Sequence, residues 1–250
     1  MNIKPFVIEN GGNTNYISSV LFALFCNRSN INLLDKQLSI EVMILQEAIK
    51  HNLINKYITY KSITSRNINN IRYISLKNGW KSDKDILDTH NPLEYYYFII
   101  SKLNELITVN FPNKTTKHMP YKMFNISHDT DIKTLFKNWI QTNNISFKLN
   151  NTINIYIHPP TLFSIHLNRS SKDIKVDIKK RIKHDNYLWK FYSLIGYKNN
   201  HYYVVYKYYS KWYMIDDTYI PSVININISD TEIQECLLKE AILVLYKMDM

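Results

Sequence analysis

The hydrophobic pattern of this chain changes period once, near Ile145, and that change sets what it can fold into. Before it, apolar residues recur at helical spacing: Ile17, Val20, Leu21 and Leu24 predict a helix over Asn15–Phe25. A second helix is expected over roughly 39–51. A third, over 92–107, opens with Pro92 and carries Tyr95, Phe98, Ile99, Leu103 and Leu106 on one stripe. A shorter one is expected over 131–140. Beyond Ile145, apolar and polar residues alternate, as in Ile153-Ile155-Ile157 and Ile174-Val176-Ile178. Strands are expected at 162–167, 192–197, 202–208, 211–215 and 241–246. Helices first and an antiparallel sheet second make an α+β protein.

The 250 residues suffice for one large domain or two small ones, and neither a repeat nor a linker divides them. With 45% hydrophobic and 14% aromatic residues the chain can bury a full core, which excludes wholesale disorder. No apolar run reaches the ~20 residues of a membrane span, and Met1-Asn2-Ile3-Lys4-Pro5-Phe6 does not read as a secretory leader. Two cysteines, Cys26 and Cys236, cannot build a disulfide framework or a four-ligand zinc site. The eight histidines show no paired metal spacing, so neither metal nor cofactor is expected. A reducing compartment, cytoplasm or nucleus, fits. Asn and Ile are abundant, the signature of an AT-rich genome, which discounts the Lys and Tyr counts for the same reason.

Two features carry chemistry. Gly11 and Gly12, two of only four glycines, stand just before the first helix, and Gly196 precedes His201 by five residues. Taken alone the glycines read as an ordinary turn before a helix; the sharper reading is a tight backbone loop at a helix amino terminus. The second feature is the hairpin running from Asn200 to Asp217, with its turn near Tyr209-Ser210. Folding back brings the end of one strand beside the start of the other. His201 and Asp216 are then a candidate base and orienter.

Together these features resemble the ubiquitin-specific proteases, papain-like cysteine proteases that cleave ubiquitin conjugates. Asn10-Gly11-Gly12-Asn13-Thr14-Asn15-Tyr16 is similar to the family's first box, Asn-x-Gly-Asn-Thr-Cys-Tyr. Asn91-Pro92-Leu93-Glu94-Tyr95 resembles its Gln-Gln-Asp-x-x-Glu-Phe box, and Pro159-Pro160-Thr161-Leu162 through Arg169 its Leu-Pro-x-x-Leu strand. Asn200-His201-Tyr202 resembles Gly-His-Tyr, Trp212 to Asp217 resembles Trp-Tyr-x-Phe-Asp-Asp, and Ala241 to Tyr246 the closing strand. The boxes occur in family order across nearly the whole chain. The resemblance implies one domain over 1–250: a helical thumb over about 1–120 set against an antiparallel palm and short fingers over about 121–250.

By this resemblance His201 matches the general base, Asp216 its orienter, and Asn10 the side-chain donor to the oxyanion, with Asp217 a neighbour or partial substitute for Asp216. The family's nucleophilic Cys falls on Asn15, and a carboxamide has no thiolate form and cannot make a thioester. Cys26 lies 11 residues further on, ~16 Å along the helix. Ser18 and Ser19 lack the helix-terminal position, and Cys236 matches no box. The resemblance therefore implies a catalytically silent relative that acts as a binding or structural module for ubiquitin or a ubiquitin-like protein. Its short length and AT-rich usage suggest a large DNA virus, placing it in host cytoplasm or virion. If Asn15 replaced a natural Cys, the chain would instead be an active deubiquitinase. The family's zinc-binding Cys pairs are absent.

Net charge is +10, with a cluster at Lys179-Lys180-Arg181-Ile182-Lys183-His184. A solvated hairpin end is the plain reading of that cluster. A patch for nucleic acid or another acidic partner is the alternative, which would make this a basic interaction protein on a protease scaffold. The tyrosines between Tyr202 and Tyr209 alternate with valines and read as sheet faces rather than as a base-stacking platform.

Overall fold

The computed structural model describes residues 6–26, 30–82, 85, 87–103, 107–110, 116–119, 122–126, 130–142, 156–157, 162–169, 176–177, 179, 181–184, 186–208, 211–226 and 239–249. Helices α1 (Asn15–Phe25), α2 (Ile40–Ile49), α3 (Asn55–Ile58), α4 (Ser65–Lys77), α5 (Pro92–Lys102) and α6 (Ile132–Thr142) run along it. The strands are β1 (Ile107–Asn110), β2 (Thr116–Met119), β3 (Lys122–Ile126), β4 (Thr130–Asp131), β5 (Tyr156–Ile157), β6 (Leu162–Arg169) and β7 (Val176–Asp177). They continue with β8 (Arg181–His184), β9 (Tyr187–Lys198), β10 (His201–Tyr208), β11 (Lys211–Ile215), β12 (Val223–Ile226) and β13 (Ala241–Met248). The protein is α+β. It comprises two compact units: Met1–Leu103 with Ile195–Asn227, and Asn104–Leu194 with Ile228–Met250.

The first unit is organised around α1. Every residue of this helix from Tyr16 to Phe25 is buried, as an all-round apolar helix requires. It packs against β10, α4 and α5. Helix α5 starts where Asn91 Oδ1 accepts from the Leu93 N–H at 2.9 Å, with Pro92 in the first position. Its Tyr95 and Phe98 join Trp80 and Tyr16 in a cluster with ring centroids as close as 5.1 Å. At the far end of α1, the Tyr57 hydroxyl donates to the Cys26 carbonyl at 2.6 Å and lies 3.0 Å from the Tyr206 hydroxyl. Strands β10, β11 and β12 and the last residues of β9 form the antiparallel sheet of this unit.

In the second unit, β13 pairs antiparallel with β6, and β3 runs parallel to β6, while β8 pairs antiparallel with β9. Phe136 on α6 meets Phe163 on β6 edge-on at 4.7 Å. Strands β1, β2 and β5 form a small separate sheet, and β4 pairs with β7.

Three expectations change. The helix expected over 92–107 ends at Lys102, and by Ile107 the β-branched run Ile107-Thr108-Val109 is strand. The helix expected over 39–51 stops at Ile49, passes through a wider turn at Lys50–Ile54 and resumes as α3. Helix α4 has no counterpart in the sequence reading. It is mostly polar and buries only Ile68, Ile71, Arg72 and Ser75, one narrow stripe. Of the strand expected over 174–178, Val176–Asp177 is present as β7. Ile153, Ile155, Pro159, Pro160, Ile174, Ile178, Lys180, Tyr209, Ser210 and Cys236 lie outside the described residues. Among the described residues no helix is long and apolar enough to cross a membrane.

Candidate functional site

All the site residues belong to the first unit. The loop before α1 is held from within. Asn10 Oδ1 accepts from the Gly12 N–H at 3.0 Å, the Thr14 N–H at 3.4 Å and the Thr14 hydroxyl at 3.3 Å. Gly12 (φ +76°) and Asn13 (φ 54°) are both left-handed, which favours glycine and is tolerated by asparagine. From α4, Asn69 Nδ2 donates to the Gly11 carbonyl at 2.9 Å, and the buried Arg72 donates to the carbonyls of both Gly11 and Gly12. The loop thus delivers Asn15 to the first turn of α1.

The other side of the site comes from strands. Between β9 and β10 the chain turns in two residues, Asn199 (φ 51°) and Asn200 (φ 59°). Paired left-handed residues are the hairpin turn whose twist suits antiparallel strands, and Asn200 can stand there in place of a glycine. Strands β10 and β11 pair with Val204 opposite Ile215. This register returns the chain so that Asp216 and Asp217 come up beside His201. Asp216 is held through its backbone and one carboxylate oxygen. Its N–H donates to the Ser222 carbonyl at 2.9 Å, and its Oδ1 accepts from the Thr218 N–H at 2.9 Å and hydroxyl at 2.6 Å.

His201 Nε2 lies 2.9 Å from Asp216 Oδ1 and 3.0 Å from Asp217 Oδ1. Asn15 Nδ2 lies 3.2 Å from the same nitrogen. The Asn15 amide is oriented without ambiguity. Its Oδ1 accepts from the Tyr202 N–H at 2.8 Å, and its Nδ2 donates to the Tyr202 carbonyl at 2.9 Å and to Asp217 Oδ1 at 3.2 Å. Both amide hydrogens are therefore in use, and the approach to His201 is a contact rather than a proton-transfer path. A relay needs one ring nitrogen for the carboxylate and the other for the nucleophile. Here, among the described residues, the polar contacts of the ring converge on Nε2.

Burial disfavours the charged imidazole, but hydrogen bonds to Asp216 and Asp217 and their charges outweigh it, raising His201 from 6.5 to about 9. Burial likewise opposes the Asp216 carboxylate. Hydrogen bonds from His201 and Thr218 outweigh that and hold its carboxyl below the usual range. At neutral pH the ring is an imidazolium between carboxylates, where a cysteine protease would pair it with a thiolate.

A cavity of about 10 Å³ lies beside the two carboxylates, lined by Asn15, Ser18, Ser19, Asp216 and Asp217 together with apolar residues that include Ile8 and Phe22. That is room for one water and not for a peptide. Asp217 Oδ2 is buried with no hydrogen-bond partner among the described residues.

Of the expected site residues, the structure brings Asn15, His201 and Asp216 together. Asn10 makes no hydrogen bond to any of them among the described residues, its amide oxygen being committed to the loop. Ser18 and Ser19 donate to helix carbonyls, Asn15 at 3.1 Å and Tyr16 at 3.2 Å. Cys26 is buried at the other end of α1. In the basic cluster Lys179 pairs with Asp177, while Arg181 is exposed. Sequence reasoning undervalues Asp217, which touches both Asn15 and His201, and misses the Tyr202 backbone. The Asp216-Asp217 doublet is the available signal for the first; a backbone partner leaves none.

No protein-family model matches the chain, and neither does any curated protein. Solved structures do match. The structure of an essential yeast splicing factor covers 99% of the chain and 70% of its own at 12% identity and a TM-score of 0.63. The Saccharomyces cerevisiae Pan2 pseudoubiquitin hydrolase–RNA exonuclease module, in complex with AAUUAA RNA, matches 99% of the chain at 13% identity and a TM-score of 0.65. The same module with AAGGA RNA matches 98% at 12% identity and 0.59. This chain spans 54% and 53% of those two Pan2 chains. These likenesses show the fold alone: the chain folds like the splicing factor and like part of the Pan2 pseudoubiquitin hydrolase module.

Proposed function

We propose that residues 1–250 form a papain-like, ubiquitin-specific-protease-type domain that has lost its nucleophile and acts as a binding or structural module, with ubiquitin or a ubiquitin-like protein as partner. The observation that carries this reading is the place of Asn15. It stands at the start of the buried helix, 3.2 Å from His201 Nε2, where the family resemblance puts the attacking sulfur. The imidazole and carboxylate remain beside it, and the amide fills its position with hydrogen bonds that a thiol could not make. Asn10 keeps its part in the loop without a developing oxyanion to serve. On this reading a partner's carboxy-terminal tail would approach past Asn15 and His201.

Two measurements test the proposal. Ubiquitin titrated into the protein should shift NMR resonances or release heat, and silence at high micromolar concentrations removes the ubiquitin part. Ubiquitin carrying a carboxy-terminal electrophile should form no covalent adduct; an adduct would show a live nucleophile and an active deubiquitinase.

A second reading has one observation of its own. Arg181 on β8 stands directly opposite Lys190 on β9, both exposed, a like-charge pair that sheets ordinarily avoid. Asp249 answers Lys190 at 2.7 Å, whereas no ion pair forms on Arg181 among the described residues. A polyanion would supply one, and the Pan2 structures are complexes with RNA. Steeply salt-dependent nucleic-acid binding weakened by Arg181→Ala would favour this reading.

A further inference from the structure

Three ligand-type atoms meet at the hairpin: His201 Nε2, Asp216 Oδ1 and Asp217 Oδ1, all within 4.8 Å of one another. They come from positions with no recognisable metal spacing and are assembled by the β10–β11 register alone. Orienting an imidazole takes one carboxylate. Here two bear on the same nitrogen, and the side chains of Asp216 and Asp217 are only 9% and 3% exposed. A single N–H cannot satisfy both with good alignment, and buried carboxylate charge is costly unless matched. An independent mark of incompleteness is Asp217 Oδ2, which is buried without a hydrogen-bond partner among the described residues, in a side chain that helps line the small cavity.

We propose that His201, Asp216 and Asp217 form a binding site for one divalent transition-metal ion of the Zn²⁺ type. One imidazole nitrogen with two carboxylate oxygens suits such an ion, whereas Ca²⁺ and Mg²⁺ favour all-oxygen shells. Zinc bonds of about 2.0–2.2 Å place neighbouring ligands roughly 3–3.5 Å apart. The existing separations of 2.9 and 3.0 Å need only small outward movements. Outer-shell support is already in place: the Thr218 N–H and hydroxyl hold Asp216 Oδ1, and Asn15 Nδ2 donates to Asp217 Oδ1. The cavity, lined by Asp216 and Asp217 but not by His201, has room for one water beside the two carboxylates. Binding replaces the proton on Nε2 by the metal and releases that proton to solvent. The site does not depend on any ubiquitin partner.

The full chain, stripped with a chelator, is titrated with Co²⁺ and then Zn²⁺. One equivalent of Co²⁺ should produce visible ligand-field absorption, which Zn²⁺ should bleach by displacement. His201→Asn and Asp217→Asn should each weaken Co²⁺ binding by about 100-fold, while Asp249→Asn, in the second unit, should leave it unchanged. Circular dichroism establishes that each variant is folded. If the site variants unfold, the wild-type His201 ring supplies the readout, because its imidazole NMR signals should shift on adding Zn²⁺. Absence of stoichiometric binding, binding that survives both site variants, or an unshifted His201 ring overturns the proposal. Metal binding without ubiquitin binding would remove ubiquitin as a partner and leave the metal site standing.

Discussion

Asn15 and Tyr202 exchange two hydrogen bonds, Tyr202 N–H to Oδ1 at 2.8 Å and Nδ2 to the Tyr202 carbonyl at 2.9 Å. The side-chain amide thereby behaves like a further strand residue at the head of β10, fastening the first turn of α1 to the sheet of its own unit.

Removing that amide should therefore cost stability. Asn15→Ala leaves both Tyr202 backbone groups without their side-chain partner and is expected to lower unfolding free energy by ~2–3 kcal/mol. Asn15→Asp should be worse at neutral pH, because it turns a carboxylate oxygen toward the Tyr202 carbonyl and Asp217. Urea midpoints for the three proteins decide this; an Ala variant equal to wild type would show that the pair contributes nothing.

Asn15→Cys should not yield a reactive thiol at neutral pH. The Nε2 proton is shared between Asp216 and Asp217 rather than directed at position 15, 3.2 Å away, and two carboxylates oppose a thiolate more than the one imidazolium between them favours it. Alkylation of the introduced sulfur should be slow and should accelerate only in alkali. Rapid labelling at pH 7, or cleavage of a ubiquitin substrate, would mean that His201 turns freely to serve the sulfur.

Stability should also depend on pH in a defined window. His201 is raised from 6.5 to about 9 in the folded protein. Its contribution is fully present below the unfolded value and fades as pH climbs through 9, on the order of 3 kcal/mol at most. The Asp216 carboxyl is held low, so its contribution is present above 3.8 and is lost as pH falls through the folded value. Chemical denaturation from pH 6 to 10 should show a decline that His201→Gln flattens. An identical decline in the variant would assign it elsewhere.

Gly196 faces the ring of Tyr203 so closely that a Cβ built there would stand 2.7 Å from Cε1 and nearer still to Cζ and the hydroxyl. Gly196→Ala should destabilise by about 1–3 kcal/mol. Combining it with Tyr203→Ala should cost less than the sum of the two changes. Strict additivity in that cycle would separate the two residues.

Much of this is legible in the sequence, for identifiable reasons. Helix α1 can be read to its ends because an apolar segment follows a glycine turn, and β10 and β11 because valines, tyrosines and isoleucines alternate along them. His201 and Asp216 follow from hairpin geometry and the family resemblance. Helix α4 stays hidden because its buried stripe includes Arg72 and Ser75, which carry no hydrophobic signal. The end of α5 is hard to place because the apolar stripe continues past Lys102 while the backbone does not. The convergence on a single ring nitrogen lies beyond sequence altogether, since it depends on a rotamer.

Among the described residues, Arg72 has only the peptide oxygens of Gly11 and Gly12 as acceptors, and two of its guanidinium nitrogens have none. Helix α4 and the turn before α1 consequently cannot drift apart. A descendant that lost the guanidinium would strip both glycine carbonyls of it at once, and one that reshaped the turn would strand a cation indoors. The two segments stand or fall as a single part.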